Sequence, residues 1–187
     1  EIARFTNKFS VIGLAETNVG PELKNLYELT GYESFYQDTF DSKVKGSGVA
    51  LYVLNSFNAV KNNNLSQVTE NLETLFVTIG SLGNSTSIGV IYRPPSGNAE
   101  QALQELSSIL DKAPKHTHIA GDFNINLHSN HSSIIAQYED VLFSRGFFPL
   151  ISLATHEKPG CNASCIDNII TNDLDSVTAS GVITDHI

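Results

Sequence analysis

The fold is decided by two neighbouring apolar segments, which read ETLFVTIGS from Glu73 to Ser81 and STSIGVIYR from Ser85 to Arg93. Both are rich in the β-branched and aromatic residues that strands favour, and the short Leu82-Gly83-Asn84 link predicts a β-hairpin. Pro94 and Pro95 end the second strand, because proline has no N–H group to donate to a neighbouring strand.

Helical and strand-like segments are interspersed on both sides of this hairpin. Apolar residues at helical spacing predict an amphipathic helix from Ala99 to Leu110 and another from Ile134 to Arg145, closed by Gly146. Pro21 is expected to open a short helix that stops before Gly31. The other predicted strands are Phe9 to Ala15, Gly48 to Leu54, His116 to Ala120, Ile166 to Thr171 and Val177 to Ile183. This order favours helices packed on the outside of sheets.

Length and composition are those of one globular domain with a substantial core. The chain has 187 residues, of which 41% are hydrophobic and 17% charged; both fractions are ordinary. No apolar run has the length of a membrane span, and no signal peptide opens the sequence. We therefore expect a protein that is neither secreted nor inserted in a membrane. Because the sequence contains no Met, we also expect it to be part of a longer polypeptide.

The two cysteines, Cys161 and Cys165, lie three residues apart in a loop rich in Gly, Asn and Ser. A zinc site there needs two further ligands, and His156 is the only other candidate nearby. The alternative, which general cysteine usage favours, is a pair of free thiols in a reducing compartment.

Polar motifs stand where several of the predicted strands end. They are Glu16-Thr17-Asn18, Tyr92 to Pro95, Gly121 to Asn124, Ile166 to Asn168 and Thr184-Asp185-His186. In a layered sheet protein such ends converge on one edge. Carboxylates, an Asn, a Tyr and a His gathered there suit a hard divalent cation and a phosphate. The pattern points to metal-dependent cleavage of a phosphodiester.

Each of these residues also has a plainer interpretation. Asp122 and Asn124, two apart in an extended segment, point the same way and suit water activation, but an Asx-turn after a strand is equally common. Glu16 is alternatively a solvated strand end, and Tyr92 a core aromatic with its hydroxyl at the surface. His186 alone is typical of a surface residue, yet an Asp167 carboxylate orienting its ring would suit acid–base work or phosphate stabilisation.

Taken together and in order, the motifs resemble the endonuclease/exonuclease/phosphatase superfamily. The shared motifs are Glu-Thr at 16–17, GSGVALY at 46–52, YRPP at 92–95, GDFN at 121–124, IDNI at 166–169 and TDH at 184–186. VIYRPP at 90–95 and GFFPLI at 146–151 resemble more closely the apurinic-type endonuclease domain of non-LTR retrotransposons, of the jockey-like and chicken-repeat-like kind.

The resemblance covers essentially the whole chain and implies a fold of the α/β (α+β) class. That fold is a DNase I-like four-layer sandwich, in which two packed mixed β-sheets are flanked by helices. It makes residues 1–187 a single domain. The family has an Asn-bearing strand before Glu16 and another strand after His186, and the chain lacks both. We therefore expect weak activity and a tendency to associate.

The resemblance also implies a role for each motif residue. Asp122 positions or deprotonates the attacking water with help from Asn124, and Asp167 orients His186 to stabilise the transition state. Glu16 binds Mg²⁺, for which Mn²⁺ is a substitute, and Asp185 supports the metal or His186. The residues implied in substrate contacts are Tyr92, Asn124, Thr155 and Thr184, the last in place of the family's usual Ser.

The implied activity is Mg²⁺-dependent nicking of one strand of double-stranded target DNA. The nick leaves a 3′-hydroxyl that primes an attached reverse transcriptase copying element RNA, so the expected site of action is the nucleus after cytoplasmic synthesis. Two competitors remain. One is a phosphatase or phosphodiesterase of the same fold, acting on a small or lipid phosphate. The other is a non-catalytic, element-derived binding domain.

The net charge of −9 and the pI of about 5.0 yield our first prediction. Phosphate contacts from Lys and Arg set both the affinity for DNA and its dependence on salt. The isolated domain should therefore bind duplex DNA weakly, with a shallow dependence of affinity on salt concentration. Fluorescence anisotropy across a salt series measures both quantities, and tight binding with a steep salt slope would contradict the prediction.

Overall fold

The structure is a computed structural model that describes residues 5–6, 8–20, 26–37, 47–81, 83–129, 132–158, 160 and 162–183. The strands in these ranges are β1 (Val11–Leu14), β2 (Tyr32–Gln37), β3 (Val49–Leu54), β4 (Val60–Lys61), β5 (Gln67–Val68), β6 (Glu73–Ser81), β7 (Asn84–Tyr92), β8 (Thr117–Asp122), β9 (Phe148–Pro149) and β10 (Asp167–Thr171). The α-helices are α1 (Ala99–Leu110) and α2 (Ser133–Phe143). Short 3₁₀ turns lie at Asn55–Phe57 and Leu174–Ser176.

The larger sheet is built around the predicted hairpin. Its strand order is β4-β6-β7-β8-β10-β9, with β5 also paired to β6. The hairpin is confirmed from its open end, where Glu73 pairs with Tyr92, to its turn, where Ser81 pairs with Asn84. β7 and β8 run parallel, while the other described pairs of this sheet are antiparallel. A parallel pair needs a crossover connection, and α1 provides it.

The smaller sheet has the order β1-β3-β2 and is antiparallel through its described strands. Successive side chains of a strand point to opposite faces, so β3 serves two layers. Val49, Leu51 and Val53 pack against the larger sheet, in one apolar cluster with its residues Leu75, Val77 and Val90. Ala50 and Tyr52 face the other side, in a separate cluster. The two sheets are therefore packed face to face.

Both described α-helices cover the opposite face of the larger sheet. The cluster beneath them contains Leu103, Leu106 and Ile109 from α1, Tyr138 and Leu142 from α2, and Phe76, Ile91, Ile119 and Ile170 from the sheet. The side chain of Asn98 caps the start of α1 by accepting the backbone N–H of Gln101 at 3.1 Å. Neither helix is long and apolar enough to cross a bilayer in the described ranges. The predicted DNase I-like architecture of two packed sheets flanked by helices is confirmed, with the mixed pairing in the larger sheet.

Several predicted elements differ from those observed. The strand predicted at Val177 to Ile183 is wrong, because both sides of β10 are occupied by β8 and β9, and the segment runs as coil after a 3₁₀ turn. The sequence analysis missed β2, β4, β5 and β9, of which all but β2 are two residues long. α2 ends at Phe143, two residues before the predicted end. Residues 21–25 of the helix predicted from Pro21 lie outside the described residues.

A side chain at Gly121 would collide with the backbone of β7, and this position yields the second prediction. A Cβ atom placed there would lie 2.0 Å from the carbonyl oxygen of Ile91. Gly121→Ala should therefore push the two strands apart and lower the free energy of unfolding by at least about 1–3 kcal/mol. Urea denaturation measures this loss.

The matched control is Gly181→Ala, because a Cβ atom there meets nothing within 4 Å. Its free energy of unfolding should stay within about 0.5 kcal/mol of the parent value. Equal stability of the two variants would show that the β7–β8 contact tolerates a side chain.

Candidate active site

Pairing within the larger sheet places four polar side chains side by side. Glu73 of β6 stands opposite Tyr92 of β7, Tyr92 beside Asp122 of β8, and Asp122 opposite Asp167 of β10. Paired residues point to the same face of a sheet. We call these four residues the polar row. Tyr92 packs against β3 residues, so the row lies on the face turned towards the smaller sheet.

The smaller sheet contributes Glu16 from the turn that follows β1. The hydroxyl of Tyr92 donates a hydrogen bond to Oε1 of Glu16 at 2.8 Å. Glu16 has a φ of 54°, which a non-glycine residue seldom adopts. This turn is held in place by the backbone before β3: the N–H groups of Thr17 and Asn18 donate to the carbonyls of Gly48 and Ser47 at 3.0 and 2.9 Å. The Tyr92–Glu16 hydrogen bond therefore joins the two sheets at the site.

Asp122 is a half-buried carboxylate with a perturbed pKa. Burial raises the pKa of Asp122 to about 6, although the N–H of Asn124 donates to its Oδ1 at 2.8 Å and opposes the rise. Repulsion from Asp167 and Glu16 raises it further, and Arg93 lowers it. These three carboxylates are thus close enough to interact, which brings together the predicted metal ligand, water-activating residue and His-orienting residue.

Tyr92 is a hydrogen-bond donor at the centre of this group. It is only 2% exposed, so the alternative of a surface hydroxyl on a core ring is wrong. Burial and the hydrogen bond to Glu16 raise its pKa above the ordinary value. The phenol therefore stays protonated at neutral pH and can donate to an oxygen anion.

Asn124 is held differently from the prediction. The segment after β8 is not extended, because Asn124 has a φ of 49° and its N–H bonds back to the Asp122 side chain. This is the Asx-turn alternative. The Asn124 side chain donates to the carbonyl of Arg93 at 2.8 Å. The prediction that the two side chains extend in parallel from a strand is wrong, and a turn joins them instead.

Arg93 locks this turn. Its guanidinium is buried and donates to the carbonyls of Phe123 at 2.6 Å and Asn124 at 2.7 Å. It also donates to the carbonyls of Pro94 and Gly97 at 3.1 and 3.2 Å. Burial lowers the pKa of Arg93, while the Asp122 charge raises it. Arg93 therefore fixes the backbone that bears Asn124 and places a positive charge near Asp122.

Thr155 supports the start of β10. Its hydroxyl oxygen accepts the backbone N–H groups of Ile166 and Asp167, each at 3.1 Å. With Asp122 and Asp167 it lines a cavity of about 370 Å³ whose remaining wall is largely apolar. The predicted substrate-contact residue thus lies at the site, where it also holds Asp167 in place.

Three predicted site residues, Thr184, Asp185 and His186, lie outside the described residues, as does Cys161. Cys165 is buried, and its thiol donates to the carbonyls of Ile151 and Asp167 at 3.8 Å each. Burial raises the pKa of this thiol. These contacts agree with the free-thiol interpretation of Cys165.

The donor atoms of the site suit a hard cation. In the part of the chain that the structure describes, no group of three or more His, Cys, Asp and Glu side chains is arranged to enclose a metal ion. Mg²⁺ commonly binds through one or two carboxylates, with water and substrate phosphate completing the shell. Glu16 offers one such carboxylate, and Asp122 lies near enough to it to interact electrostatically. Asp167 and Glu16 place negative charge around Asp122, and a cation would neutralise it.

Sequence reasoning overlooked Glu73 as a member of this site and left Arg93 without a role. Glu73 is 1% exposed and Arg93 is 7% exposed, which is rare for charged residues. The signal for Glu73 was present, because in ETLFVTIGS it is in phase with Leu75 and Val77 on the buried face. Arg93 gave no signal beyond its place in the YRPP motif.

Several solved structures share this architecture. An endonuclease/exonuclease/phosphatase family protein from Bacteroides thetaiotaomicron has the same fold, with a TM-score of 0.55 and 17% identity over 90% of this chain and 72% of its own. The endonuclease domain of TRAS1, a telomere-specific non-LTR retrotransposon, reaches a TM-score of 0.68 with 18% identity, covering 92% of this chain and 76% of that domain.

A D. rerio TDP2 complexed with a single-strand DNA product also matches, with a TM-score of 0.55 and 14% identity over 90% of this chain and 72% of its own. No protein-family model and no curated sequence matches. The structural similarities show that the fold is that of the endonuclease/exonuclease/phosphatase superfamily.

The raised pKa of Asp122 yields the third prediction. The folded-state pKa of Asp122 exceeds its ordinary value of 3.8. The fold therefore has its full stability from this group below about pH 3.8 and loses that contribution as the pH rises through the folded-state pKa. Asp122→Asn keeps an acceptor for the Asn124 N–H without the charge. In EDTA it should melt at a higher temperature than the parent at about pH 7.5, and the difference should shrink towards about pH 4.

Thermal unfolding followed by circular dichroism across this pH range measures the difference. A variant that is less stable than the parent by the same amount at every pH would show that the charge of Asp122 is not destabilising in the fold.

Proposed function

We propose that this domain is a divalent-metal-dependent DNA endonuclease that nicks one strand and leaves a 3′-hydroxyl. The observation that most supports the proposal is the polar row joined to Glu16. It places carboxylates close to the neutral phenol of Tyr92, which is a hydrogen-bond donor. Carboxylates for a cation and a base, with a donor for phosphate oxygen, are what phosphodiester hydrolysis needs.

Each residue has a defined part in the proposed reaction. Glu16, with Asp185, would hold the cation, and a bound cation would supply positive charge at the scissile phosphate. Asp122 accepts a proton from the attacking water, and burial makes its carboxylate a stronger base than a solvated one. The water oxygen bonds to phosphorus as the bond to the 3′ oxygen breaks, and that oxygen takes a proton from solvent to become the 3′-hydroxyl, leaving the phosphate on the 5′ end.

Other groups orient the substrate and stabilise the charge. Tyr92 donates to a phosphate oxygen in place of Glu16, its acceptor in the structure, and Asn124, fixed by Arg93, assists in placing the water. Asp167 orients His186, which stabilises charge on the phosphate in the transition state. Thr155 and Thr184 contact the substrate. These are the roles that the resemblance implied.

The biological setting is also part of the proposal. The 3′-hydroxyl would prime an attached reverse transcriptase in the parent polypeptide, acting on double-stranded DNA in the nucleus. The similarity in fold to the TRAS1 endonuclease domain supports this setting.

A phosphatase acting on a small phosphate is a second candidate. The net charge of −9 favours a small substrate over a polyanion. A mannosyl-6-phosphatase from Bacteroides thetaiotaomicron also has this fold, with a TM-score of 0.56 and 18% identity over 90% of this chain and 74% of its own.

The fourth prediction separates these candidates. The domain should convert supercoiled plasmid to nicked circles with Mg²⁺ and not with EDTA, at the low rate expected above. DNA polymerase should extend the nicks directly because they carry 3′-hydroxyls. Asp122→Ala should slow nicking by at least about 10²–10⁴-fold, the usual loss on removal of a general base. Agarose gels and incorporation of labelled nucleotide measure the two effects.

The matched control is Asp175→Ala. Asp175 is an exposed carboxylate in the 3₁₀ turn beyond the far end of β10, so this variant should nick at the parent rate. Hydrolysis of p-nitrophenyl phosphate without nicking would favour the phosphatase. Activity on neither substrate, from a folded protein, would favour a non-catalytic domain.

A further inference from the structure

Glu73 is a charged side chain in the interior of the protein with a specific backbone partner. It is 1% exposed, and burying a carboxylate is costly unless hydrogen bonds compensate it. Its Oε2 atom accepts the backbone N–H of Gly48 at 2.6 Å. Hydrogen bonds to a charged acceptor are shorter and stronger than neutral ones. The Glu73 carboxylate therefore fixes the backbone just before β3.

The backbone that Glu73 fixes is the backbone that holds the turn after β1. Gly48 and Ser47 accept the N–H groups of Thr17 and Asn18, the two residues that follow Glu16. Gly48 has a φ of 89°, and a Cβ atom on it would lie 2.7 Å from Oγ1 of Thr17. The two segments are thus in direct contact, with no space for a side chain between them.

Glu73 is also next to Tyr92, the residue that binds Glu16. It is the cross-strand partner of Tyr92, whose hydroxyl binds Glu16. The carboxylate of Glu73 is one of the charges that raise the pKa of Tyr92. Glu73 therefore adjoins Tyr92 directly and reaches the Glu16 turn through Gly48.

We propose that Glu73 is a positioning residue for Glu16, acting through the Ser47–Gly48 backbone. The carboxylate of Glu73 holds Gly48, Gly48 and Ser47 hold the two residues after Glu16, and Glu16 is thereby kept in its left-handed conformation against Tyr92. The consequence for cation binding rests on the proposed function, whereas the order of the Glu16 turn does not.

Two variants separate the hydrogen bond from the volume of the side chain. Glu73→Gln retains a carbonyl oxygen that can accept the Gly48 N–H, while Glu73→Met has a similar length and only a weak acceptor. Leu75→Ala is the matched control for lost stability. Leu75 is fully buried in the same strand and belongs to the apolar cluster between the sheets, so its truncation destabilises the fold without removing the Gly48 contact.

The main measurement is native-state amide hydrogen exchange in the absence of metal. Glu73→Met should speed exchange of the Thr17, Asn18 and Gly48 amides by about tenfold relative to the amides of β7, as expected for loss of a charged hydrogen bond. Glu73→Gln should restore most of the protection. Leu75→Ala should not change the ratio between the two sets of amides.

Two exchange results would overturn the proposal. One is a uniform rise in exchange for Glu73→Met, which would make Glu73 a general stabilising residue. The other is identical behaviour of the Gln and Met variants, which would make the acceptor irrelevant.

A second measurement, titration calorimetry with MgCl₂ alone, addresses the site. If the parent binds Mg²⁺, Glu73→Met should bind it about tenfold more weakly, and Leu75→Ala should bind it as the parent does. Unchanged affinity in Glu73→Met would contradict a role in positioning Glu16. A parent that binds no Mg²⁺ would contradict the proposed function instead, and the exchange results would still decide the role of Glu73.

Discussion

The position of β7 between two different neighbours is the constraint on which the site depends. β7 runs antiparallel to β6 and parallel to β8, and these two registers align Glu73, Tyr92 and Asp122. A slip of one residue in either pairing would turn a whole strand over and send its polar side chain to the helical face. The close approach at Gly121 and the buried apolar side chains on both faces hold that register.

A site of this kind is built at the cost of stability. The charged groups of Glu73, Arg93 and Asp122 are shielded from water. Each is hydrogen-bonded to the backbone: Glu73 to the Gly48 N–H, Arg93 to the Phe123 and Asn124 carbonyls, and Asp122 to the Asn124 N–H. These backbone partners are set by the fold. Two buried charged residues adjoin Tyr92 and act on different loops. Glu73, its cross-strand partner, acts on the Glu16 turn, and Arg93, the next residue in the chain, acts on the Asn124 turn.

The sequence predicted the elements whose signals are local. The Glu73–Tyr92 hairpin, both amphipathic helices and β8 were visible in apolar periodicity and in Gly and Pro positions. β4, β5 and β9 consist of two residues each and depend on the neighbouring strand rather than on their own sequence. Val177 to Ile183 has strand-like composition, but the strands already beside β10 leave it no adjacent edge there.

The site was predictable in membership and less so in geometry. Motif order brought Glu16, Tyr92, Asp122, Asn124, Thr155 and Asp167 into the prediction. The Asx-turn depends on the hydrogen bond from the Asn124 N–H to the Asp122 side chain, which residue spacing alone does not predict. The hydrogen bonds of buried Glu73 and Arg93 depend on loops that are distant in sequence. The roles of Thr184, Asp185 and His186 stay predictions.

The central claim is that Glu16 and the polar row together form a cation site between the two sheets. Crystals soaked in Mn²⁺ and measured for anomalous scattering test it most directly, because the signal locates the ion without any assumption about substrate. The account predicts an anomalous peak at the Glu16 carboxylate, next to the row. A peak found only elsewhere, for example at the His116–Asp173 pair beyond the opposite end of β8, or no peak at millimolar Mn²⁺, would contradict it.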